Sequence, residues 1–92
     1  MEKKYHRLQI PWQSMEDRVL ILANQEGEVH ELNETGSWIW TKLDEARTCS
    51  ELAQEFLKES EGNQEQVHSD FEQYLETLCK KRIIKADEHL IR

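Results

Sequence analysis

Leu8 and Ile10 alternate with Arg7 and Gln9, Pro11 breaks the run, and Val19-Leu20-Ile21-Leu22-Ala23 follows as a continuous apolar stretch. Period two and β-branched content predict strands over about 5–10 and 18–23. The second run is apolar at every position, which suits the middle of a small sheet with the first strand along one side. Residues 24–27 read Asn-Gln-Glu-Gly, a turn in which Gly27 can take positive φ, and Glu28-Val29-His30-Glu31-Leu32 returns as the third strand, over 28–32. As the polar outer strand it exposes one row of unpaired N–H and C=O groups, which must be blunted or used.

After Leu32 the period lengthens to about 3.6. Asn33 is placed to cap a helix over about 34–44, with Glu34 at its positive end and Trp38, Ile39 and Leu43 on one face. Trp38 and Trp40, two residues apart, cannot share that face, so one belongs to the core and the other lies partly exposed. Thr48-Cys49-Ser50-Glu51 has the form of a capping box and opens a second helix over about 49–60, whose stripe is Cys49, Leu52, Ala53, Phe56 and Leu57. After a break at 60–63, Val67, Phe71, Tyr74, Leu75 and Leu78 trace a third helix over about 64–81, with Lys80, Lys81 and Arg82 at its negative end. Ile83 and Ile84 return to the core, and 87–92 has no assignable pattern. Strands followed by helices without alternation predict one α+β domain over 1–92, a winged helix-turn-helix-like fold in which a three-stranded antiparallel sheet is followed by three helices.

Composition narrows the function. Nineteen acidic against twelve basic side chains give a formal charge of −7, which disfavours nucleic acid and anionic membranes as partners. No stretch has the length of a membrane span or a signal-peptide core, so the expected location is cytoplasmic. Cys49 and Cys79 lack paired spacing and are expected to be reduced and buried. His6, His30, His68 and His89 share no ligand spacing, and nucleophile elbows and phosphate loops are absent, so neither metal, cofactor nor catalytic residue is expected. The residues from Glu51 to Glu76 hold eight carboxylates against one base, Lys58. Such a run is ordinarily the solvated face of amphipathic helices. It also tells against the alternative of a winged-helix DNA-binding regulator, because the third helix would bring Glu65, Asp70, Glu72 and Glu76 to the phosphates.

The segment Glu31-Leu32-Asn33-Glu34-Thr35-Gly36-Ser37-Trp38-Ile39-Trp40-Thr41-Lys42-Leu43-Asp44, then Arg47-Thr48 and Glu51-Leu52, resembles the PqqD family. Val67, Asp70, Phe71 and Leu75 and the closing Ile83-Ile84 extend the likeness, which runs from about Leu8 to Ile84. Glu45 stands where the family usually has glycine, and Val29-His30-Glu31 where aromatic or small residues are common. The resemblance implies a RiPP recognition element. Such a module does no chemistry; it binds the leader segment of a ribosomally synthesised precursor peptide and delivers it to a modifying enzyme such as a radical SAM protein, or to a leader peptidase or cyclase. The product would be a lasso peptide, a quinone cofactor or a related compound. In the family the leader adds as an antiparallel strand to the third strand, in the cleft beside the third helix, a form of β-augmentation. Carried onto this chain, the third strand, Glu28 to Leu32, offers backbone hydrogen bonds from Val29, His30 and Glu31. Val67, Phe71, Tyr74 and Leu78 form an apolar floor, Asp70 meets a basic or hydroxyl group, and Lys81 an acidic one. The same bare edge leaves the oligomeric state open.

Overall fold

The structure, a computed structural model, describes residues 3–22 and 27–87. In chain order the elements are β1 (Lys4–Arg7), β2 (Trp12–Met15), β3 (Arg18–Ile21), β4 (His30–Glu31), α1 (Glu34–Lys42), β5 (Arg47–Thr48), α2 (Cys49–Glu59), α3 (Gln64–Lys80) and β6 (Ile84–Asp87). The fold is α+β: an antiparallel sheet of order β2-β3-β4 followed by the three helices, with a second antiparallel sheet of order β5-β1-β6. Among the described residues no helix is long and apolar enough to cross a membrane.

The apolar run is central, as its composition requires, but its second neighbour is not the first strand. Trp12 pairs with Ile21 and Met15 with Arg18 across the two-residue turn Glu16-Asp17, where Glu16 takes φ of 56°. Pairing with β2 closes a two-residue loop, whereas the first strand is separated from β3 by the break at Pro11. That first strand, Lys4–Arg7 rather than 5–10, instead joins β6 over four residue pairs and β5 over two. Only His30 and Glu31 of the expected 28–32 are strand. Ala23, the turn residues 24–26 and His89 lie outside the described residues. Gly27 adopts φ of 78°, the left-handed region for which the sequence nominated it.

The helices start where side chains satisfy their first N–H groups. Asn33 accepts from Gly36 N at 2.8 Å, and Asn63 accepts from Gln66 N at 3.1 Å. Thr48 and Glu51 exchange both bonds of the capping box, at 3.1 and 2.9 Å. Each cap contributes on the order of 1 kcal/mol. The helices then bury Ile39 and Trp40 of α1 and its C-cap Leu43, Leu52 of α2, and Phe71, Leu75 and Leu78 of α3 against Val19, Ile21, Leu32, Ile83 and Ile84. Trp40 is fully buried while Trp38 is only partly so. Cys49 is buried and its thiol donates to the carbonyl of His68 at 3.4 Å, whereas Cys79 is half-buried, less enclosed than its composition class suggests.

One buried hydroxyl fastens the first sheet to α1. Val19 N donates to Ser37 Oγ at 2.8 Å, and Ser37 Oγ donates to Leu32 O at 3.2 Å. The serine thereby relays the ladder bond that Val19 and Leu32 would otherwise make, and Leu32 N closes the pair onto Val19 O at 2.9 Å.

Candidate functional site: an open strand edge beside an aromatic cleft

β4 is a terminal strand of its sheet, so one of its two sides has no strand partner among the described residues. Leu32 N–H points to β3, and the alternation of an antiparallel ladder sends the groups of His30, opposite Ile21, the same way. The N–H and C=O of Val29 and Glu31 therefore face the open side. Of the three backbones expected to pair with an added strand, two are turned outward and His30 is turned inward. Val29 is 62% exposed, and Leu32 is buried in the core. The strand's side chains are held in place by ion pairs: Arg18 with Glu31 at 3.6 Å, and Glu28 with His30 at 3.2 Å when the imidazole is protonated.

Beyond the end of β4 the chain enters α1, and a cleft of about 280 Å3 opens between α1, α2 and α3. Val67, Asp70, Phe71 and Tyr74 of α3 line it, facing Asn33 and Thr35 at the start of α1 and Phe56 of α2. Its floor is aromatic. Phe56 and Phe71 stack edge to face with centroids 5.3 Å apart, and Trp38 meets them at 5.4 and 6.0 Å. Asp70 stands exposed at the rim, accepting from Gln66 Nε2 at 3.0 Å.

The width of the cleft is set by Asn33. Its Oδ1 accepts the capping N–H of Gly36 and, at 2.8 Å, the hydroxyl of Tyr74. Tyr74 reaches it by lying against Gly36, where a Cβ would collide with the hydroxyl and stand 2.8 Å from Cζ. This close approach gives a physical reason for the Leu-Asn-x-Thr-Gly segment: asparagine caps the helix and receives the tyrosine, and glycine makes room for the ring. Burial pushes the Tyr74 phenol above its ordinary value, against a smaller downward pull from Asn33.

Four of the helix residues singled out from the sequence thus meet at one cleft. Leu78 does not join them: it packs in the core and is not part of the cleft's lining, whereas Phe71, equally buried, has its ring against the cleft. Lys81, the C-cap of α3, lies about 16 Å along the axis from Asp70 at the usual helical rise. Asn33, Thr35 and Phe56 were not singled out as site residues. Phe56 carries the spacing of a core stripe, and nothing in that spacing distinguishes a cleft wall from core. The exposed carboxylates Glu65, Asp70, Glu72 and Glu76 on α3 repel phosphate, which removes the basis for a groove-reading helix.

None of the curated proteins matches this chain. Among solved structures, "TbiB1 in Complex with the TbiA(beta) Leader Peptide" superposes with a TM-score of 0.79 at 23% identity, covering 87% of this chain and 94% of that one, which establishes a common fold. The model of the family described as coenzyme PQQ synthesis protein D (PqqD) matches residues 18–84. With the Leu-Asn-x-Thr-Gly segment, its tyrosine partner and the closing Ile83-Ile84 all inside that match, the chain belongs to the PqqD family.

Proposed function

We propose that this protein is a non-catalytic adaptor. It binds the leader segment of a ribosomally synthesised precursor peptide as an antiparallel strand added to β4 and delivers it to a modifying enzyme or leader peptidase. The observation that carries this reading is the conjunction of an open strand edge with an aromatic-floored cleft. β-Augmentation needs both, the edge for affinity and the cleft for selection among sequences. Membership of the PqqD family and the fold shared with a protein solved on a leader peptide support it.

Magnitudes show why the edge alone is insufficient. Backbone hydrogen bonds are worth about 0.5–1.5 kcal/mol each net, so the outward groups of Val29 and Glu31 supply only a few kcal/mol. Micromolar binding needs about 8 kcal/mol after the ordering of the leader has been offset. One large apolar side chain seated on Phe56 and Phe71, burying about 150 Å2, adds roughly 4 kcal/mol. The leader is therefore expected to place an aromatic or long aliphatic residue in the cleft, with a basic or hydroxyl-bearing neighbour against Asp70.

The test is a titration of the isotopically labelled chain with the leader segments of candidate precursor peptides. Amide shifts should concentrate at 28–32 and 67–74, and binding that left these signals unmoved would overturn the reading. Val29→Pro, which removes an outward N–H without touching the ladder to β3, should weaken leader binding at least about tenfold with an unchanged melting temperature.

A further inference from the structure

The opposite end of α3 carries a second recess of the opposite charge. Lys80, Arg82 and Lys85 line a groove of about 540 Å3 whose accessible apolar floor is formed by Leu8 and Ala86, with the buried Ile84 behind them. Among the described residues its lining contains no carboxylate. This is unexpected on a chain of formal charge −7. The polarity runs along one helix: between Gln64 and Cys79, α3 has Glu65, Asp70, Glu72 and Glu76 and no lysine or arginine, whereas Lys80, Lys81, Arg82 and Lys85 follow within six positions.

Arg82 adds an independent observation. The helix closes with Ile83 N bonded to Leu78 O and Arg82 N to Cys79 O, both at 3.0 Å, and this motif places Arg82 at φ of 61°. Glycine is the unstrained residue for that position. An arginine there bears a conformational cost, and its side chain lines the groove.

We infer that this groove docks an acidic, partly apolar extended segment of a partner protein. Three cations around an aliphatic floor match carboxylates alternating with apolar side chains. A nucleic acid matches less well: its charge would meet the acidic face of α3 within about one Debye length, and it has no use for the floor. Asp70 in the leader cleft and Lys80 are about 15 Å apart along α3, so both sites can be filled together. The groove gives an adaptor a separate grip on a second protein. The inference does not rest on leader binding.

The test titrates the full labelled chain with a short blocked peptide alternating glutamate and leucine, with its lysine–leucine counterpart, and with a short single-stranded DNA. The acidic peptide is expected to shift amides at 79–86 and Leu8 while leaving 28–32 unmoved. Its affinity should fall about tenfold between low and moderate salt, and about tenfold again in Lys80→Gln/Arg82→Gly/Lys85→Gln. Arg82→Gly relaxes the backbone, so an unchanged or raised melting temperature excludes misfolding as the cause. An absence of shifts, shifts centred elsewhere, an equal response to the lysine peptide, or tighter binding of the DNA would each overturn the proposal. The leader titration reads different residues, so either site can fail while the other stands.

Discussion

Gly36→Ala tests the mechanism that sets the cleft. Alanine normally favours a helix over glycine by up to about 1 kcal/mol, so in open space the substitution would stabilise α1. Here the new methyl would stand 2.8 Å from Cζ of Tyr74 and closer still to its hydroxyl. The ring must swing out, losing the hydrogen bond to Asn33, worth about 0.5–1.5 kcal/mol, and re-exposing about 50 Å2 of apolar ring, worth roughly 1.3 kcal/mol, or the helices must part at an overpacking cost of about 1–3 kcal/mol. The expected net effect is a loss of about 1–2 kcal/mol in urea denaturation, with weakened leader binding because Tyr74 lines the cleft. In a Tyr74→Leu background the obstacle is gone, and the same Gly36→Ala change should be neutral or stabilising. A reversal of sign across this double-mutant cycle is diagnostic. If Gly36→Ala proves harmless with Tyr74 in place, the argument that glycine is there to admit the tyrosine is refuted.

Ser37→Ala removes the relay between Val19 N and Leu32 O and strands a buried N–H, which should cost about 1–3 kcal/mol by urea denaturation and speed amide exchange in β3 and β4. The guanidinium of Arg7 lies 5.0 Å from the ring centre of Trp12 and 4.9 Å from that of Trp40, while its Nε donates to Trp40 O at 2.8 Å. Lysine cannot stack and donate from the same place, so Arg7→Lys should cost about 1–2 kcal/mol, read by thermal melting. Tyr5 and Tyr74 both titrate above the ordinary tyrosine value of 10.0, chiefly because burial opposes the phenolate. The folded state thus holds these protons longer than the unfolded one. Stability from these groups is complete below pH 10 and declines as pH rises through the folded values, and Tyr74→Phe should flatten that decline in denaturation curves at successive alkaline pH.

The helices were legible because their signals are local. Asn33, Thr48 with Glu51, and the stripes on α2 and α3 each lie within a few residues of the bonds and contacts they make. β2 was not legible: all four of its residues are exposed, so no alternation marks it, and Glu16-Asp17 lacks the glycine or asparagine that announces a tight hairpin. The sheet of β1, β5 and β6 joins residues about eighty positions apart, a pairing that no window along the chain contains. Helical spacing alone extends the floor of the cleft one turn too far. Tyr74 and Leu78 share a face at the spacing of four, and only the strands packed under the end of α3, with Ile83 and Ile84 fully buried there, turn Leu78 from floor into core.

The corrected topology also changes the question of which edge a peptide would use. With the first strand removed to the other sheet, β2 is terminal as well as β4, and it is the longer of the two, with Trp12 and Met15 at 40% and 52% exposure. Length and exposed apolar surface alone would favour β2. What distinguishes β4 is its neighbour: two residues beyond Glu31, Asn33 ties the strand's exit to Tyr74 of α3. Asn33 also lines the cleft that holds Phe56 and Phe71, so the chain leaving β4 runs directly into its wall. None of the residues lining the cleft comes from β2. A peptide on the β2 edge would lie beside recesses lined largely by polar and charged groups, Arg7, Gln9 and Asp44 next to Trp12 and Glu16, Asp17 and Glu34 next to Ser14, and not beside the aromatic cleft. Hydrogen bonds indifferent to sequence cannot by themselves select one leader among many.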